Sequence, residues 1–168
     1  MLICEAVPAL KPIYERRALI LDDNDANRLL LKFAMQMSNV EFVEAANGAA
    51  ALTHWCPGSF SFAFLDIELP DINGLEVARR IRASDPDACI IMCSTNDDPH
   101  TISAAVEADC DLFLVKPFEL DTLLTLVKEM DRSGLREAPR VLIVDNLGRR
   151  RWQARPLKPA APTYAAPQ

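Results

Sequence analysis

Short apolar runs alternate with stretches of helical period along most of this chain, and four of the runs stop at an acid, a hydroxyl or an amine. Ala18–Leu21 ends at Asp22-Asp23, Phe60–Leu65 at Asp66, Cys89–Cys93 at Ser94, and Leu112–Val115 at Lys116. Val40–Ala45 reads as a further strand. Between them, residues 29, 30, 33, 34 and 37 are apolar at helical spacing. Helical patterns also cover Asn47–Trp55, Gly74–Ala83, the region of Thr101–Ala108, and Leu120–Met130. Strands that are apolar throughout are buried on both faces, as in a parallel sheet wrapped by helices. The expected class is α/β: a doubly wound, five-stranded parallel sheet with helices on both faces.

Three segments follow from the punctuation. Residues 1–16 form a leader broken by Pro8 and Pro12, residues 17–133 hold the α/β domain, and residues 134–168 form an extension. Ser133-Gly134 ends the last helix, and Glu137-Ala138-Pro139 reads as a linker. Residues 140–145 look like an extra strand, while the Ala/Pro-rich chain from Trp152 onward is expected to be disordered. Residues 140–168 hold six basic side chains and one acid, so the first 139 residues carry −11 of the total −6. An acidic body is a poor nucleic-acid binder, and the Arg149-Arg150-Arg151 run reads first as a solvated segment. No apolar run approaches the roughly 18 residues of a membrane span. Five cysteines, two histidines and no C-x-x-C pair are expected to be reduced thiols in a cytoplasmic protein rather than a zinc site.

In open parallel sheets, ligands bind at the carboxyl ends of the strands. That edge gathers Asp22, Asp23, Asp66, Ser94, Thr95 and Lys116. Three carboxylates held together must protonate or recruit a cation, and a hard divalent ion such as Mg²⁺ suits oxygen ligands. With metal bound, one carboxylate can attack phosphorus, while lysine and hydroxyl hold the other phosphoryl oxygens. No G-x-G-x-x-G or G-x-x-x-x-G-K-S/T loop offers a nucleotide cradle.

Four motifs, Leu19-Ile-Leu-Asp22-Asp23-Asn24, Phe64-Leu-Asp66-Ile-Glu68-Leu-Pro70 through Gly74, Ile90-Ile-Met-Cys-Ser94-Thr95 and Leu114-Val-Lys116-Pro117-Phe118, stand in order at strand ends. In these the chain resembles the receiver domain of bacterial two-component response regulators, over about residues 17–132. The resemblance implies that Asp66 is the phosphoacceptor and that Asp22 and Asp23 hold Mg²⁺, together with Asp66 and the backbone carbonyl of Glu68. It implies that Lys116 senses the phosphoryl group and that Ser94 and Phe113 form the switch. It also implies a cis Lys116–Pro117 bond and a switching surface on the fourth helix, fifth strand and fifth helix. Asn73 departs from the family, which commonly has an acid there. The implied donor is a histidine kinase or histidine phosphotransfer protein, with a downstream protein partner, a homodimer in some members, and no dedicated enzymatic output beyond self-phosphorylation and slow dephosphorylation.

Other readings stay open on sequence alone. The chain could be a phosphorylation-independent pseudo-receiver, the N-terminal part of a longer regulator, or an aspartate-nucleophile phosphatase with Glu68 as its acid. Asp22 and Asp23 could merely cap a helix, Lys116 could serve only as a salt-bridge partner, and Phe113 could be plain core. His54 and His100 are expected on the surface.

Overall fold

The computed structural model describes residues 16–133 and 140–155. Most of the leader, the proposed linker and the Ala/Pro-rich chain beyond residue 155 lie outside the described residues. The elements run β1 (Arg17–Leu21), α1 (Asp25–Met37), β2 (Glu41–Ala45), α2 (Gly48–His54), β3 (Phe62–Asp66), α3 (Gly74–Ser84), β4 (Cys89–Ser94), α4 (Pro99–Glu107), β5 (Leu112–Val115), α5 (Leu120–Ser133), β6 (Arg140–Val144) and β7 (Arg150–Ala154). One sheet holds all the strands in the order β2-β1-β3-β4-β5-β6-β7. Every pairing is parallel except the last, β6 with β7.

The apolar runs are buried as their composition demands. β3 is buried at all five positions and β5 at all four. On one face Val77, Ala78 and Ile81 of α3 and Ile102 and Ala105 of α4 pack against Leu19, Ala63 and Ile90. On the other, Leu31, Ala34 and Met35 of α1 and Leu123, Leu126 and Val127 of α5 cover Ile20, Phe64 and Leu114. Cys89 and Cys93, four apart on β4, both face this second layer.

Helices start where their caps stand. Asn24 Oδ1 accepts the Ala26 and Asn27 N–H groups at 2.9 and 3.1 Å, and Asp98 Oδ1 accepts those of His100 and Thr101 at 2.8 and 3.0 Å. Asp98 moves the start of α4 ahead of the expected Thr101, since Pro99 suits the first helical turn, where no N–H is needed. Asn73, where the family commonly has an acid, caps α3 by accepting the Leu75 N–H at 2.8 Å.

Three expectations need correction. The sheet has seven strands rather than five, because the extension adds β6 to β5 and folds back as β7. Residues 152–154, expected to be disordered, belong to β7. Composition misled there: the chain gains order from β6, whose Val141–Val144 side chains are fully buried between the two helical layers. Cys89, Cys93 and Cys110 are free thiols, but Cys56 is disulfide-bonded, against the expectation of reduced cysteines throughout.

A buried ion network fastens the extension. Asp111, with a fully buried side chain, accepts the Ile90 N–H and Arg82 Nη2 at 2.8 Å each, and its other oxygen meets Arg155 Nη2 at 3.1 Å. Arg155 also pairs with Asp109. Removing Asp111 would leave two largely buried guanidinium groups with Asp109 as their shared acid. Asp111→Ala is therefore expected to lower unfolding free energy by about 3–5 kcal/mol. Arg150→Ala, which breaks a half-exposed pair with Glu129 at 2.7 Å, is expected to change it by no more than about 1 kcal/mol. Urea denaturation of both variants checks the difference.

Candidate functional site

The parallel register brings the strand ends to one rim. Asp66 pairs with Cys93 and Ser94 with Val115, while Asp22 follows β1 directly. The β3–α3 connection is held tight by Gly74. Its N–H donates to the Ile67 carbonyl at 2.9 Å, and a Cβ on Gly74 would lie 1.8 Å from the Asp66 carbonyl oxygen. Only a residue without a side chain lets α3 start this close to the backbone of Asp66.

Carboxylate oxygens of Asp22, Asp23 and Asp66 lie within 4.8 Å of one another, with Asp22 and Asp66 buried and Asp23 exposed. Lys116, 8% exposed, sends Nζ between the two buried acids, 2.7 Å from Asp22 Oδ2 and 3.0 Å from Asp66 Oδ1. Among the described residues this ammonium is the one ion-pair partner of Asp22 Oδ2. Asp22 Oδ1 accepts the Asn24 N–H at 2.9 Å and Asn27 Nδ2 at 3.3 Å. The Glu68 N–H donates to Asp66 Oδ1 at 3.3 Å. Lys116 is followed by a cis bond to Pro117, and its own N–H donates to the Ser94 carbonyl at 2.8 Å.

Burial raises the Asp66 carboxyl to about 6 and outweighs the hydrogen bond and charge of Lys116; the Asp22 charge adds to the rise. Burial alone would depress Lys116, but the hydrogen bond and charge of Asp22, then those of Asp66, hold its ammonium above the usual value. Three carboxylates share one ammonium, so the cluster keeps a negative surplus and its donors are all oxygen. That donor set fits a hard divalent cation.

Asp23 and Asp66 line a cleft of about 240 Å³ with Asn24, Asn27, Glu68, Thr95 and Lys116. Ser94 is buried beneath this rim, its Oγ accepting the Asn96 N–H at 3.0 Å. Thr95, which the sequence also places at this edge, supplies the hydroxyl residue at the cleft wall. Asn24 and Asn27 were missed; the signal was available, since a capping Asn next to two acids must face the same rim. Phe113 is fully buried, flanked in register by Met92 and Ile143. His54 and His100 are exposed, as expected.

A model of the response regulator receiver domain matches residues 18–128. The chain belongs to this family. It is 32% identical over 114 residues to the chemotaxis protein CheY of Bacillus subtilis, covering 67% of this chain and 95% of CheY. It is also 32% identical over 124 residues to the CAI-1 autoinducer sensor kinase/phosphatase CqsS of Vibrio cholerae, but that match spans only 18% of CqsS and 72% of this chain. Among solved structures, the response regulator TrrA of Thermotoga maritima, in complex with Mg²⁺-BeF, is 36% identical with a TM-score of 0.61, covering 68% of this chain and 98% of TrrA. A CheY-like receiver domain from Methanospirillum hungatei gives a TM-score of 0.66 at 25% identity, covering 74% and 99%. The chain thus carries a response regulator receiver domain of two-component signalling. Among its described residues no helix is long and apolar enough to cross a membrane.

The raised Asp66 fixes a pH dependence. Because its folded value of about 6 exceeds the ordinary 3.8, the folded state binds this proton more tightly than the unfolded chain. Stability is therefore lost as pH rises from about 4 to about 6, by about 1–3 kcal/mol. In metal-free buffer above that window, Asp66→Asn is expected to be more stable than wild type by this amount. The gap should close as the pH falls to about 4. Chemical denaturation across the pH range checks it, and a gap that does not vary with pH would contradict it.

Proposed function

We propose that this receiver accepts a phosphoryl group on Asp66 from a phosphohistidine donor, with Mg²⁺ held by Asp22, Asp23, Asp66 and the backbone carbonyl of Glu68. The observation that carries the proposal is the buried Asp22–Lys116–Asp66 cluster with Asp23 at its open side. An Asp66 oxygen attacks phosphorus, the donor's P–N bond breaks, and an acyl phosphate forms as the histidine ring leaves. The Asp66 carboxylate is the nucleophilic form, and its displacement to about 6 leaves it ionised at neutral pH. Mg²⁺, when bound, neutralises the charge that develops on the phosphoryl oxygens. Lys116 trades its contact with Asp66 for one with a phosphoryl oxygen, staying anchored by Asp22. Ser94 turns its hydroxyl from the Asn96 N–H toward the phosphoryl group, which shifts the loop leading into α4.

The donor surface follows from α1. Leu29, Phe33 and Met37 are 65%, 49% and 55% exposed and fall four residues apart, on one stripe of the helix. Asn27 of the same helix lines the cleft, so a helical partner seated on this stripe carries its phosphohistidine to Asp66. A partner protein downstream then reads the shifted loop.

Phe113 is the aromatic member of the switch in this reading. Its complete burial beside Ile143 of β6 favours a second reading, an interaction module that does not switch, because β6 pairs along the β5 edge toward which an outward rotamer would turn. The two are separated by treating the protein with acetyl phosphate and Mg²⁺ and following its intact mass. Wild type is expected to gain one phosphoryl group, and Asp66→Asn none. Phe33→Asp is expected to react normally with acetyl phosphate but at least about tenfold more slowly with a phosphorylated histidine phosphotransfer protein. No gain in wild type, or an equal gain in Asp66→Asn, would overturn the proposal.

A further inference from the structure

The sheet continues past the five strands of the receiver, and this relocates its open edge. β6 pairs with β5 from Leu112↔Leu142 to Leu114↔Val144, and β7 pairs with β6 from Arg140↔Ala154 to Val144↔Arg150. Two hydrogen bonds fix which backbone groups face outward. The Leu142 N–H donates to the Asp111 carbonyl at 3.3 Å, so Leu142 and Val144 bond toward β5, and Val141 and Ile143 toward β7. The Asp145 N–H donates to the Arg149 carbonyl at 3.0 Å, and alternation from that pair makes Arg151 and Gln153 the residues bonded to β6. The N–H and C=O groups of Arg150, Trp152 and Ala154 therefore point away from the sheet.

This edge is basic on an acidic molecule. Residues 140–155 carry five arginines and one acid. Three of the arginines are paired, Arg149 with Asp145, Arg150 with Glu129, and Arg155 with Asp109 and Asp111. Arg140 and Arg151 have no ion-pair partner among the described residues. All five residues of β7 are exposed, and Trp152 is 43% exposed.

We propose that β7 takes an extended acidic segment of a partner protein as an added strand, its main chain bonding to Arg150, Trp152 and Ala154 and its acids facing Arg151. Strand addition supplies affinity through main-chain bonds and specificity through alternate side chains. A second copy fits less well. Pairing β7 with itself about Trp152 would set the two Arg151 side chains diagonal to each other, within about 7–8 Å, where like charges repel. The site does not depend on phosphoryl chemistry at Asp66.

Amide hydrogen exchange of the full chain by NMR tests this, with a short terminally blocked peptide of alternating Glu and Val as probe. The peptide is expected to slow exchange at Arg150, Trp152 and Ala154. Raised salt should weaken it, and Arg151→Glu, an exposed change checked for folding by circular dichroism, should weaken it by at least about tenfold. A Lys–Val counterpart should leave exchange unchanged. Unchanged amides at saturating peptide, binding that survives N-methylation of the peptide backbone, or protection that rises with protein concentration in the absence of peptide would each overturn the proposal.

Discussion

Asp22, Asp23 and Asp66 bring carboxylate oxygens within 4.8 Å of one another around a single ammonium, and nearly every feature of the rim serves to hold that arrangement. Left in water these groups would separate. Here β1 and β3 end side by side, the Asn24 and Asn27 amides pin Asp22, and the Glu68 N–H steadies Asp66. The result is a carboxyl raised toward neutrality beside a lysine whose ammonium is favoured, and a residual negative charge that a cation would relieve. The same lysine that stabilises the resting cluster is placed to follow the charge when Asp66 is modified.

The frame around the cluster is built to keep it in place. Both helical layers seal the strands beneath it, and Gly74 lets α3 approach the Asp66 backbone more closely than any other residue would allow. The C-terminal hairpin adds a constraint of another kind. Val141–Val144 extend both cores beyond β5, and the Arg82–Asp111–Arg155 network fastens β7 to the opposite end of the sheet from the acids. The edge of β5, which the family resemblance marks for switching, is thereby a paired interior strand.

Much of this was legible in the sequence because burial on both faces writes itself as an unbroken apolar run. Phe62–Leu65, Ile90–Cys93 and Leu112–Val115 could be little else, and the acids, hydroxyl and lysine that end them fall on one rim by topology alone. The cis bond before Pro117 and the three-acid cluster were expected and are present. What escaped depended on long-range partners. Arg150–Ala154 has no apolar pattern of its own and becomes a strand only because β6 offers an unpaired edge. Asp111 and Arg155, 44 residues apart, gave no local sign of meeting. The depth of Ser94 beneath the cleft wall escaped too, since nothing in its spacing to Lys116 carries it.

The central claim is that the surplus negative charge of the three-acid rim is met by one divalent cation. Calorimetric titration of the metal-free protein with Mg²⁺, on wild type and on Asp23→Asn, measures this most directly. Asp23 is the exposed member of the cluster, so its replacement leaves the buried Asp22–Lys116–Asp66 contacts and the fold intact. One bound ion per chain in wild type, with affinity lowered at least about tenfold in the variant, is the predicted result. Equal binding by both proteins, or none by wild type, would contradict it.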